Sequence, residues 1–318
     1  MSTPEFPPFE KLGIDPDGPP GNAWGLWGRD DELGMLNLLT AENTVAASKL
    51  IVDGKRISID LHLDEPKHPF FNRQVFYHHI HLKAPRAVFD DVLLLNTQSS
   101  TQWDGFRHYA HQTSRKFYNG ATEDDIRNSH RIGTNVWVEK GGIVGRGVLL
   151  DYAAFAARHN ICIEPFSTSS ISVAHLKQLA DEENITFRPG DILFIRSGFT
   201  AAYRAFRPDE EATLPARKGS HFIGVESSMD TLQWIWENKF AAVAGDMPGF
   251  EASPSQQVAV SIHQWILAGW GVPIGELFDL DELAVELEKR GRHTFFLSSV
   301  PLKVRGGVAS PPNAVAIL

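Results

Sequence analysis

Val92-Leu93-Leu94-Leu95-Asn96-Thr97-Gln98-Ser99-Ser100-Thr101-Gln102-Trp103-Asp104-Gly105-Phe106-Arg107-His108 is where this chain changes character. The apolar run Val92–Leu95 reads as a buried strand, after which the sequence turns abruptly polar. If the extended conformation persists, Gln98, Gln102 and Asp104 share one face, since side chains an even number of residues apart point the same way along a strand. Gly105 can break the strand, and a helical turn after it would bring His108 back to the same space. Two amides, a carboxylate and an imidazole would then converge. Polar stretches after strands are also ordinary loops built on Asx and Ser/Thr turns, so the spacing alone leaves both readings open.

The segment resembles the signature of the cyclase family, which includes bacterial kynurenine formamidases and isatin hydrolases and whose motif runs His-x-Gly-Thr-His-x-Asp-x-x-x-His. Thr101, Asp104 and His108 match it. Gln98 and Gln102 stand where the family places two metal-binding histidines, and Ser100 stands at its glycine. This variant is similar to fungal-type members, in which glutamine replaces these histidines and the flanking Phe106-Arg107-His108 is kept. An amide offers only a weak carbonyl oxygen where an imidazole would bind zinc or manganese well.

The resemblance extends along the chain. Trp24-Gly25, Asp30-Asp31-Glu32, Gly34 and Leu36-Asn37-Leu38-Leu39-Thr40 are similar to the family pattern that precedes its first long helix. Thr40 is a suitable N-cap for a helix over 41–50. Gly145 to Asp151 resembles the family's Gly-Val-Leu-Leu-Asp strand, with Asp151 placed to cap the next helix. Pro189-Gly190-Asp191 followed by Ile192–Ile195 and Arg196-Ser197-Gly198 matches another family element. In the last third, a histidine and a glutamate at places corresponding to His263 and Glu276 supply the remaining metal ligands. His263 reads as part of a helix over 255–268, and Glu276 as following the turn Val272–Gly275.

What the resemblance implies is an α/β protein with the swivelling α/β/α cyclase-like fold on a central mixed sheet. It further implies a hydrolase acting on an amide or lactone in a small substrate, and a homodimer. One divalent ion, Mn or Zn, would be held by some of Gln102, Asp104, His263 and Glu276, with Gln98 as a further weak oxygen ligand or a donor. Asp104 would serve as ligand and His108 as general acid/base. Trp24, Trp27, Phe106, His111 and Arg196 are candidate substrate contacts, Arg196 because a guanidinium suits a carboxylate. A metal-free cyclase, dehydratase or isomerase using His108, and a non-catalytic small-molecule binder, are the alternatives. Ser99 and Ser100 lie near His108, yet no Gly-x-Ser-x-Gly elbow accompanies them.

Composition narrows the partners. The 318 residues carry a net charge of −9 with 42% apolar residues and no basic patch, which argues against nucleic acid and anionic membrane. Cys162 is alone, so neither an intrachain disulfide nor a cysteine metal cage is expected. With no signal-peptide pattern or long apolar run, a cytoplasmic protein is expected. One domain spans 1–318, with residues 1–23 as an extended arm.

Periodicity predicts further elements. Ile57 to Leu63 alternates as a half-buried strand, and Val75 to Leu82 follows as another. The latter carries His79 and His81 on one face, a spacing that can hold a metal but lies outside the family motif. Ser172 and the Ser227–Asp230 capping pattern open helices, and Ala241–Ala244 is a short buried strand. Asp279–Glu282 starts the last helix, and 294–298 and 302–305 read as strands.

Overall fold

A computed structural model describes residues 4–214, 221–255 and 257–318. Its strands, in chain order, are β1 (Arg56–Ser58), β2 (Tyr77–Leu82), β3 (Phe89–Leu94), β4 (Gln102–Asp104), β5 (Ile143–Asp151), β6 (Ser170–Ile171), β7 (Ile192–Arg196), β8 (Gly224–Val225), β9 (Ala242–Gly245), β10 (Ile274–Glu276), β11 (Thr294–Ser299), β12 (Ala309–Ser310) and β13 (Ala314–Ile317). Among the described residues nine strands form one mixed sheet in the order β1-β13-β11-β5-β7-β9-β10-β4-β12. Strands β5, β7, β9 and β10 run parallel, and the strands at both ends pair antiparallel. β7 and β9 are apolar almost throughout and buried almost throughout, as strands covered on both faces must be.

Helices pack on this sheet where their caps begin them. Thr40 accepts from the Asn43 N–H and opens helix Ala41–Ser48 against β5 and β11. Ser172 and Ser228 likewise cap Val173–Glu182 and Met229–Asn238, which contact each other. Asp151 accepts from Ala154 at 3.0 Å and caps Tyr152–Arg158, as its strand-end position predicts. The N-terminal arm does wrap the body: Phe9 is buried against Trp265 and Trp270, and Trp236 donates to the Pro7 carbonyl. Residues 1–3 of that arm lie outside the described residues. No helix among them is long and apolar enough to cross a membrane.

Four expectations are corrected. Val92–Leu95 is extended but not buried: β3 pairs only with β2 in a separate two-stranded hairpin, and all its residues are exposed. The alternation over 57–63 holds in burial, but only Arg56–Ser58 pairs as strand because β13 is its single neighbour. The helix carrying His263 is shorter and starts later than expected: Ile262 and His263 are its first residues, and they run into a wide π-type turn over Gln264–Trp270. Residues 302–305 form no strand; the chain instead returns as β12 and β13.

Candidate active site

Antiparallel pairing of β4 with β10 builds the floor. The register sets Gln102 opposite Glu276 and Asp104 opposite Ile274, so these side chains share one face, while Trp103 and Gly275 share the other. On that other face Trp103 packs against Phe278 at 5.0 Å and Phe194 at 6.3 Å, and its indole N–H donates to Ser299 at 3.0 Å. Gly275 is required there: a Cβ would stand 2.6 Å from Ala244, 2.6 Å from the Phe278 ring and 2.8 Å from Trp103. Thr101 ties the floor down by donating to the Leu277 carbonyl at 2.5 Å and accepting from Leu61.

On the polar face Gln102, Asp104 and Glu276 are at most 2% exposed. The Gln102 amide donates to Glu276 Oε2 at 2.5 Å, which leaves its own carbonyl oxygen buried without a partner. After Asp104 the chain closes a tight turn, with the His108 N–H on the Gly105 carbonyl at 2.9 Å, and not a helix. That turn nonetheless brings His108 Nε2 to 3.6 Å from Asp104 Oδ2. Gln98 donates its amide nitrogen to Asp104 Oδ1 at 2.8 Å and lies 3.0 Å from His108 Nδ1. It therefore presents N–H groups to the site.

From the far end of the chain, His263 Nε2 lies 3.2 Å from Glu276 Oε1 and 3.8 Å from Asp104 Oδ2. Its orientation is fixed by Glu251, which accepts the His263 backbone N–H at 2.9 Å and the Ser261 hydroxyl at 2.7 Å and stands 3.5 Å from Nδ1. Ligand-capable atoms of Asp104, His108 and His263 all fall within 4.8 Å of one another, and Asp104 Oδ2 has no hydrogen-bond partner. A buried carboxylate oxygen and a buried amide oxygen left unpaired beside two imidazoles and Glu276 form a mixed N/O donor set that fits a divalent metal ion. Glu251 on the far nitrogen of His263 is the carboxylate support such a ligand usually has.

Burial would push the His263 imidazole down, but Glu251, Asp104 and Glu276 outweigh it and hold the ring well above its ordinary value. Burial pushes His108 down despite the attraction of Asp104, so its neutral form is favoured. Burial and the neighbouring Asp104 push Glu276 up. For Asp104 the nearby His108, His263 and Arg73 overcome burial and hold it low.

His108, His263 and Glu276 open into a cavity of about 430 Å³ lined also by Phe71, Arg73, Tyr109 and Glu251, within the usual range for small-molecule sites. Arg73 donates to the Gln98 carbonyl at 2.6 Å, lies 4.0 Å from Glu276 and sits 5.0 Å over the Phe71 ring. Phe71 and Asn72 both adopt left-handed backbone, at φ +58° and +56°. Bulky residues rarely hold that conformation, and it occurs preferentially at functional loops.

Several proposed substrate contacts are elsewhere. Arg196 is spent on Asp151 at 3.0 Å and Asp281 at 2.8 Å. Phe106 is fully buried between Tyr118 and Trp137, a core ring. Trp24 is buried and donates to Ala268, and Trp27 lines a different cavity with Asp31 and Trp137. His111 contacts Ser114 within its own turn and does not line the cavity. Arg73, Tyr109 and Glu251 are the site residues that sequence reading missed. Glu251 lies six residues past β9, after the mostly apolar Met247-Pro248-Gly249-Phe250, and Arg73 follows the turn at Pro69; neither carries a spacing signal in the sequence.

Residues 55–252 match the Cyclase family. A crystal structure described as a novel cyclase is 31% identical, with 93% of this chain and 99% of that one covered at a TM-score of 0.81. Isatin hydrolase A from Labrenzia aggregata, bound to benzyl benzoate, is 16% identical over 87% of this chain and 98% of its own, at 0.59. An isatin hydrolase bound to the product analogue thioisatinate is 14% identical over 88% and 99%, at 0.60. The latter two share the fold. No curated protein matches the chain.

Proposed function

The chain belongs to the cyclase family, and on that premise we propose that it is a metal-dependent hydrolase opening an amide or lactone bond in a small cyclic or acyclic substrate. The observation that carries this reading is the convergence of Asp104, His108 and His263 within 4.8 Å, with Asp104 Oδ2 and Gln102 Oε1 buried and unpaired. A divalent ion, Mn or Zn, supplies Lewis acidity toward a carbonyl and acidifies water. Asp104, His263, Glu276 and the Gln102 carbonyl oxygen would hold it. Gln98 donates to the His108 ring, which requires an unprotonated ring nitrogen, and burial favours the same neutral form. His108 is thereby ready to accept a proton and return it to the leaving group. Arg73, the cation lining the cavity, takes the anion-binding role that the sequence suggested for Arg196.

The test is elemental analysis of the purified chain, followed by hydrolysis assays on isatin, an N-formyl aromatic amide and an aryl lactone with Mn or Zn restored after chelation. One ion per chain and turnover that returns with metal are expected. Two ions per chain would contradict the single site, and the Gln98→His, Gln102→His double variant should raise zinc affinity. Arg73 beside Glu276, together with glutamine at both motif positions, supports a second reading in which a metal-free cyclase, dehydratase or isomerase uses His108. Chelator-resistant turnover would select it.

A further inference from the structure

Next to the floor of the candidate active site lies a separate groove of about 180 Å³. Thr101, the residue before β4, lines it, and its hydroxyl is already used on the Leu277 carbonyl and the Leu61 N–H. Leu61, Leu63, Leu93, Leu95, Leu302 and Pro311 make the walls almost wholly apolar. No residue is shared with the cavity that holds His108 and His263.

Three polar side chains line this groove, those of Asp60, Thr101 and Asn313. Asn313 donates its amide N–H to the Val300 carbonyl at 3.1 Å and is exposed. Asp60 is different. Its Oδ2 accepts the Ala314 N–H at 2.9 Å, while its Oδ1 is buried with no hydrogen-bond partner. Among the described residues it is the only titratable side chain lining the groove, and no Lys, Arg or His pairs with it. A buried acceptor without a donor costs free energy, and an ionised one costs most. A group bringing both a donor and a positive charge to Oδ1 would remove both costs.

The walls and the volume set the rest of the occupant. An apolar cavity of about 150 Å³ takes up a benzene ring, so this groove has room for one ring or a short alkyl chain. A divalent ion is a poor fit, because one carboxylate among leucines and prolines cannot supply the several oxygen ligands it needs. A lone water is a poor fit too, since it wants several polar partners. An ammonium needs one anion and tolerates apolar neighbours along its stem.

We propose that this groove is a second, non-catalytic binding site for a primary ammonium ion carried on a small apolar body, with Asp60 accepting from the nitrogen and the leucines covering the body. The site stands apart from the hydrolase reading and uses none of its residues.

Isothermal titration of benzylammonium chloride into the full chain should show one site per chain. Benzyl alcohol, the same shape without the charge, should bind at least about tenfold more weakly. Asp60→Asn should weaken the ammonium at least about tenfold and leave the alcohol unchanged, whereas Leu95→Trp, which fills the groove, should abolish both. Glu251→Gln, in the other cavity, should leave the ammonium bound as in wild type. If Asp60→Asn fails to fold by circular dichroism, Leu95→Trp carries the same test. No binding up to about 20 mM overturns the proposal, as does equal affinity for the alcohol. So does ammonium binding that survives Asp60→Asn or Leu95→Trp and falls with Glu251→Gln, which would place the ion among the carboxylates of the candidate active site.

Discussion

Seven residues, Leu95 to Thr101, separate two regions that invert the usual placement of polarity. On one side β4, with β10, carries Gln102, Asp104 and Glu276 into a nearly water-free interior; on the other β3 carries Val92, Leu93 and Leu94 out into solvent. Burying carboxylates and exposing branched side chains both cost free energy, so each region is incomplete as a folded chain by itself. The polar one leaves oxygens unpaired and fits a cation and a reacting carbonyl. The apolar one has its backbone paired across a single ladder and leaves its side chains open to water. The kind of unsatisfied group therefore reports the kind of ligand.

The largest effect is expected at the polar region. His108→Ala should lower kcat about 10²–10⁴-fold while elemental analysis still finds the ion, and the acidic limb of the rate profile should disappear. Loss of the ion with the imidazole would make His108 a ligand, and turnover within about threefold of wild type would place the base elsewhere.

A smaller effect tests whether the buried face is organised from outside the donor set. Glu251→Gln keeps the shape but removes the charge beside His263, and should weaken Mn or Zn binding about 10–100-fold, read by titration into the metal-stripped chain. Unchanged affinity would mean that the Ser261 and backbone contacts alone orient the ring.

The smallest effect lies at the boundary, where Asp60 lines a groove with Leu93, Leu95 and Leu302. Burial pushes this carboxyl up to about 6 from 3.8, with only the Ala314 N–H on Oδ2 at 2.9 Å to oppose it. Between those values the folded chain keeps a proton that the unfolded chain has released, so stability falls as pH rises through the window and the cost is complete above it. Asp60→Asn should raise stability at pH 8 by about 1–2 kcal/mol, allowing for partial exposure, and change little at pH 4. Thermal melts showing equal gains at both pH values would remove burial of charge as the cause.

Much of this was legible because the signals are local. Caps at Thr40, Asp151 and Ser172 begin their helices where the sequence places them, and the Ser227–Asp230 pattern opens its helix one residue later, with Ser228 as the cap. The even spacing from Gln102 to Asp104 anticipated their shared face, and the family resemblance named His263 and Glu276, which the fold brings beside it as a candidate site. Arg73 was not legible, since it reaches the cavity through two left-handed residues that are not glycines. Arg196 misled for the complementary reason: a strand-end arginine looks the same in sequence whether or not Asp151 and Asp281 fold against it. The run Val92–Leu95 correctly announced a strand, but which surface covers a strand is decided by the arrangement of the whole molecule.

Gly275 limits what mutation can offer this chain. Because Ala244, Trp103 and Phe278 already occupy the space of a Cβ there, any replacement must part β4 from β10 and carry Glu276 away from Gln102. Descendants could exchange many surface residues one at a time, yet at position 275 no single-step neighbour is open to them. In a saturation library selected for folded protein, 275 should keep glycine almost alone, whereas the exposed Ile80 and Leu93 should accept polar residues freely.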